Sequence, residues 1–182
     1  MSIVGVSGSL SNPSRTTALI ETVSIKIEAA LQADSHLIRV ADFGTTLGGI
    51  SNPKTLPAEV AQAYSSLRDA SIIVVGTPVY KASYTGLLKH FFDLLAPRDL
   101  NGKIVVRTAT GGSDHHALVI EHQLRPLLGF FSAVTVPTGI YAKDSDFSKD
   151  EAGGTYSLSN TDIAQRVETA AAQAVQLYRA FH

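Results

Sequence analysis

The chain has 182 residues and no cysteine. That absence excludes a disulfide framework, an Fe–S cluster and thiol chemistry. No apolar run approaches the roughly 20 residues of a membrane span. An excess of one charge is also lacking: 15 Lys and Arg against 16 Asp and Glu leave a formal net charge of −1. There is no basic patch with interleaved aromatics, the footprint of a nucleic-acid binder. Nor is there the marked acidity of a carrier that docks on redox partners by charge alone. The six histidines follow no HExxH or Cys/His zinc spacing, and His115 and His116 project in different directions on a helix, which argues against a metal site. The G-x-G-x-x-G and G-x-x-x-x-G-K-[ST] fingerprints are missing, so neither a nicotinamide nucleotide in a Rossmann site nor ATP is the expected ligand. No leader is seen before the first apolar segment, and the expectation is a cytoplasmic protein.

What is present is an ordinary globular composition, 45% hydrophobic and 17% charged, in a chain long enough for one domain over 1–182. Short apolar runs predict strands over 3–7, 37–40, 71–76, 104–109 and 134–136. Helical spacing runs over 15–32, where Leu19, Ile20, Val23 and Ile27 share a face and Ser14 is a good N-cap. It returns over 58–70, 87–95, 114–131 and 159–182. The segment 42–57 reads as a long Gly- and Pro-containing loop, and 143–158 as a charged, mobile one. Strand and helix alternate five times, with no repeat and no linker. That pattern predicts an α/β fold, a single doubly wound five-stranded parallel sheet, and five strands favour the flavodoxin-like order 2-1-3-4-5.

In such a sheet the loops beyond the C-terminal strand ends converge on a ligand crevice. The first offers hydroxyls from Ser7, Ser9, Ser11, Ser14, Thr16 and Thr17, a charge-assisted donor in Arg15, and the N–H groups of a helix start, all suited to a phosphate. A Ser-rich turn with an ordinary N-cap is the plainer alternative. The second, Pro78, Val79, Tyr80, Lys81, Ala82, Ser83 and Tyr84, supplies a flat platform and backbone donors, although tyrosines are often half-buried packing residues. The third, Thr110, Gly111, Gly112 and Ser113, lets backbone approach a ligand closely, unless it is merely a turn needing positive φ. Together they describe a site for a flat ring with a phosphate tail, which fits FMN. The start of the helix after Gly112 is expected to favour negative charge on the pyrimidine end of that ring. Arg15, Lys81 and Arg107 are basic candidates for a nucleotide 2′-phosphate. Within the helix over 114–131, Pro126 cannot donate to the carbonyl of His122, so a kink or π-bulge is expected there.

Gly8-Ser9 with Ser14-Arg15, Pro78-Val79-Tyr80 through Ser83, Gly86-Leu-Leu-Lys89 with Asp93, and Thr110-Gly111-Gly112 resemble the NADPH-dependent FMN reductase family of flavodoxin-like enzymes. The likeness extends over about two thirds of the chain and is specific in combination. The string TPVYKASYTGLLK with ATGG looks closest to the flavin reductases of alkanesulfonate and methanesulfonate monooxygenase systems. The resemblance implies FMN phosphate on the loop from Ser9 to Thr17 and its ring on Pro78 to Ala82 and Thr110 to Ser113. It implies hydride transfer from NADPH, or NADH, to the flavin, with no catalytic side chain, and delivery of reduced FMN to a separate monooxygenase. It further implies a homodimer or homotetramer built on the helix over 87–95, where Leu87, Leu88, Phe91, Phe92, Leu94 and Leu95 exceed what one core face needs. Where the alkanesulfonate reductases insert a tyrosine in a π-bulge, this chain has His122, as the methanesulfonate-type enzymes do, which makes it a candidate gating residue. The residues alone leave His122 open between that role and a half-exposed position beside a kink. A quinone or azo reductase holding FMN tightly and a flavodoxin-like electron carrier are the alternative readings.

Overall fold

The computed structural model describes residues 1–150 and 154–182. All five residues of β1 (Ile3–Ser7) are buried. β3 (Ile72–Pro78) and β4 (Ile104–Gly111) are buried almost throughout. Runs with no polar face must lie mid-sheet, covered on both sides. β2 (Ser35–Arg39) has only Ile38 buried and takes the edge. These strands and the short β5 (Val134–Thr135) pair in parallel in the order β2-β1-β3-β4-β5, the expected flavodoxin-like arrangement.

α1 (Arg15–Leu31) and α6 (Thr161–Phe181) cover one face, meeting Ile3, Val74 and Val106 through Ile20, Ile27 and Ala170. Ser14 caps α1, its Oγ accepting from Thr17 N, and Asn160 caps α6. α3 (Ala58–Asp69), α4 (Gly86–Asp93) and α5 (Arg125–Phe130) cover the other face, around Val4, Val6, Tyr64, Phe91, Phe92 and Leu128.

The structure departs from the sequence reading in several places. The first half of 42–57 is not a loop: α2 (Val40–Gly48) occupies it, bent at Gly44 (φ 43°, ψ −122°). Val40 and Leu47 are buried there, and His90 Nε2 lies 2.9 Å from Leu47 O. The second strand begins two residues earlier than 37–40.

The fifth strand is two pieces, β5 and β6 (Ile140–Lys143), both parallel to β4. β4 advances four residues from Ile104 to Thr108 while its neighbour advances six, from Val134 to Ile140. The surplus bulges out around Pro137, which has no N–H for the ladder.

The segment 143–158 is ordered in its described part. A 3₁₀ turn (Asp144–Asp146) leads into the antiparallel pair β7 (Phe147–Lys149) and β8 (Tyr156–Leu158). Buried Asp146 fastens it, accepting from Lys143 N at 2.6 Å and Asn160 Nδ2 at 2.8 Å. Residues 151–153 of that segment lie outside the described residues.

The helix over 114–131 is three pieces: a 3₁₀ turn (Asp114–His116), a π-helix (Ile120–Leu124) and α5. Arg125 N donates five residues back to Ile120 O, the register that a proline at position 126 permits.

The apolar surplus on α4 is only apparent. Leu88, Phe91, Phe92, Leu94 and Leu95 are all buried within the one chain, and Leu87 is half-buried against the same core. Tyr64, buried beneath α4, donates its hydroxyl to Phe91 O at 2.8 Å, and burial pushes its phenol pKa up. Tyr64→Phe is expected to leave that carbonyl without a partner and cost about 1–2 kcal/mol. Urea denaturation checks this as a lowered midpoint at unchanged slope.

Candidate active site

The loop after β1 is held from three sides. Gly8 N donates to Gly76 O at 2.8 Å, and a Cβ at Gly8 would stand 2.8 Å from Leu88 Cδ2. Thr85, the N-cap of α4, donates Oγ1 to Gly8 O at 2.7 Å. Beyond Gly8, Ser9 and Ser11 share a hydroxyl contact of 3.2 Å. Thr16 Oγ1 and Thr110 Oγ1 share a buried hydrogen bond of 2.6 Å, which fastens the start of α1 to the end of β4. Ser7 and Thr17 turn away from the ligand side and bond each other at 2.8 Å. Arg15 keeps a different character. Its Nε is buried with no hydrogen-bond partner. In a folded protein such a donor marks a place where an acceptor belongs.

The loop after β3 leaves the sheet through Val79 N, which donates to Thr110 O at 2.8 Å. Tyr80 and Ser83 then exchange two backbone hydrogen bonds of 2.9 and 3.1 Å around Lys81 (φ 50°) and Ala82 (φ 66°). Two consecutive left-handed non-glycine residues form a tight hairpin of the primed type, a costly conformation for L side chains. Lys81 and Ala82 are its exposed tip, and Ser83 Oγ donates to Gln123 Oε1 of the π-helix at 3.1 Å.

After β4, Gly111 lies against Tyr141, whose hydroxyl occupies the position a Cβ at 111 would need. Tyr141 donates that hydroxyl to Ser113 O at 2.6 Å, and burial pushes its pKa up. The expected helix start after Gly112 is absent. Only the 3₁₀ turn Asp114–His116 follows, capped by Ser113, so this third loop brings no helix dipole to the site.

A cleft of about 220 Å³ is lined by Ser9, Ser11, Ser14, Arg15, Thr16, Pro78, Val79, Tyr80, Thr110, Gly111, Gly112 and Asp144. All three expected loops therefore meet. Thr17, Lys81, Ala82, Ser83 and Ser113 lie outside its walls. Arg107 is not at the site at all, being fully buried in β4. Asp144 and Tyr141 were missed by the sequence reading. Tyr141 sits in an Ile-Tyr-Ala-Lys alternation that signals a strand, whereas no local pattern marks Asp144. A larger groove of about 700 Å³, lined by Phe92, His122, Pro126, Phe130 and neighbours, opens between α4 and the π-helix with α5. It lacks the converging hydroxyls and backbone donors of the smaller cleft, and exposed His122 lines it.

Arg107 serves the scaffold. Its guanidinium donates to Val136 O and Glu121 Oε1, each at 2.8 Å, and more weakly to Ile120 O and Pro137 O. Glu121 is also bonded by Arg125. Arg125 first, then Arg107, hold the Glu121 carboxyl down at about 2, against an ordinary 4.5. Burial pulls the Arg107 pKa down and Glu121 partly restores it. Glu121 therefore adds stability that is complete above pH 4.5 and lost as pH falls toward 2. Glu121→Gln is expected to flatten the acid limb of stability across that window, as read by denaturant melts at stepped pH.

Residues 1–148 match the family model described as NADPH-dependent FMN reductase. The chain is 40% identical over 181 residues to the NADH-dependent FMN reductase SfnF of Pseudomonas fluorescens, covering 98% of this chain and 92% of the relative. It is 38% identical over 179 residues to an FMN reductase (NADPH) of Pseudomonas aeruginosa, covering 97% and 91%. Its fold superposes with a TM-score of 0.87 and 32% identity on an oxidoreductase from Corynebacterium diphtheriae, covering 98% of this chain and 97% of that one. With a family match across most of its length and three well-joined loops in the expected crevice, the chain belongs to the NADPH-dependent FMN reductase family.

Proposed function

We propose that the protein is an NAD(P)H-dependent FMN reductase that releases reduced FMN to a separate monooxygenase. The observation that supports this most is the partnerless, buried Nε of Arg15, in a cleft walled by Ser9, Ser14 and Thr16. One cation and several hydroxyls around a helix start suit a phosphate. Pro78, Val79 and Tyr80 on one side, and Thr110, Gly111 and Gly112 on the other, leave a slot between apolar surface and bare backbone that suits a flat ring. Thr17, Lys81, Ala82, Ser83 and Ser113 belong to the same three loops and lie outside the cleft's walls.

Bound there, FMN would supply the hydride acceptor for a reduced nicotinamide. The chain's own residues bind and orient. Tyr80, 45% exposed at the mouth, offers a surface against which a second ring can settle. No side chain of the cleft is needed as acid or base, since positioning and electrostatics are the protein's share of such chemistry. Both NADPH and NADH are proposed as donors, because the relatives named above differ in theirs. Among the described residues no helix is long and apolar enough to cross a membrane, and the proposed setting is the cytoplasm, where reduced nicotinamide nucleotides are regenerated.

Assembly as a homodimer or homotetramer along the 87–95 helix belongs to the same proposal, with a changed footing. Most apolar residues of α4 face their own core, so a second copy would meet the groove beside it, where Phe130 is 67% exposed.

Two measurements test these statements. NADPH and NADH oxidation assayed with FMN, FAD and riboflavin in turn should saturate with added FMN. Oxidation that ignores FMN but depends on added quinone would overturn the reading. Phe130→Asp should shift elution in gel filtration to a smaller species without loss of helical signal, and an unchanged elution volume removes the groove from the interface.

A further inference from the structure

Arg15 is not idle in the free protein. Its Nη1 stands 3.6 Å from Asp144 Oδ1, and its guanidinium lies over the ring of Tyr156, 4.4 Å from the centroid. Both partners come from the strap that follows β6, the 3₁₀ turn and β8. The Arg15–Asp144 approach is too long for a hydrogen bond, and both side chains are partly exposed, at 35% and 57%. It is a loose counter-ion contact, easily given up. The tyrosine face, by contrast, holds the planar cation in place without using its N–H donors. Asp144 also lines the cleft, with a carboxylate oxygen 3.9 Å from where a Cβ at Gly112 would sit. A carboxylate thus stands between the phosphate end and the ring end of a site built for an anion.

We infer that Asp144 is an affinity-setting residue that competes with the flavin's phosphate for Arg15, so that FMN is held weakly enough to exchange. This rests on the FMN reading above. A phosphate reaching Arg15 must displace Asp144 and then lie close to a like charge. Both effects weaken FMN and neither touches riboflavin, which has no phosphate. Tyr156 keeps Arg15 aimed throughout, so the cation passes from one anion to the other without leaving its place.

The experiment is a fluorescence titration of FMN and of riboflavin into the full chain, the Asp144→Asn and Asp144→Ser variants, Arg15→Gln, and the Asp144→Asn/Arg15→Gln double variant. Either Asp144 substitution should tighten FMN roughly three- to tenfold, the scale of a partly exposed charge contact plus a nearby repulsion. Riboflavin should be unmoved, and the gain should vanish once Arg15 is gone. Unchanged or weaker FMN binding, an equal gain for riboflavin, or a gain that persists without Arg15 overturns the inference. The two failures are distinguishable. Normal FMN binding with an inert Asp144 sinks the competition alone, whereas a parent protein that binds neither flavin sinks the FMN reading and the competition together.

Discussion

A guanidinium without solvent access dictates much of this molecule. Arg107 points out of the middle of β4 into protein, and a buried cation must be given acceptors or the strand cannot pack. The chain delivers them to both terminal nitrogens, though not to Nε, by breaking two regular elements. Between β5 and β6 the chain leaves the sheet so that Val136 and Pro137 present carbonyls, and the segment after β4 turns as a π-helix so that Ile120 O and Glu121 reach the same group. Neither break is a defect once the charge is considered. They meet at one point, where Ile120 packs so tightly on Gly139 that residue 139 has no room for a Cβ. The π-helix in turn steadies the hairpin after β3 through Gln123 and Ser83, so a charge in the core is connected by a short chain of contacts to one wall of the crevice.

The crevice itself depends on short polar fastenings between loops that are far apart in sequence. Thr16 and Thr110 join the first loop to the third, and Thr85 joins the start of α4 to the first. These threonines are buried, so their hydroxyls act as structural joints, while Ser9, Ser11, Ser14 and Arg15 line the cleft. That division explains a cleft crowded with hydroxyls in which only some are available to a ligand.

The fold was legible because its signals are local. Uninterrupted apolar runs read directly as central strands, and Pro126 carries its own geometric consequence wherever it stands in a helix. The three loops were legible because glycine, proline and hydroxyl residues cluster at strand ends. What escaped depends on distant partners. Arg107 looks like an exposed cation until β4 is known to be covered on both faces. The carbonyls at the division of the fifth strand accept from that same residue, about thirty positions away along the chain. α2 was hidden by Gly44, which bends a helix that Val40 and Leu47 hold against the core. Asp144 has no signature of its own; only the folded strap brings it to Arg15. The apolar count on α4 misled because Phe91 and Phe92 are buried against different neighbours, Tyr64 and Phe131 among them, so one short helix fills the core on two sides.

Tyr141 beneath Gly111 has a bearing on how this sequence can drift. The phenol and a side chain at 111 claim the same volume, so the two positions are not free to vary separately. A larger residue at 111 becomes tolerable only after 141 has shrunk, and a shrunken 141 gives up the hydroxyl that holds Ser113. Descendants of this chain should therefore either keep the pair intact or exchange both members together, carrying a differently shaped turn beside the cleft.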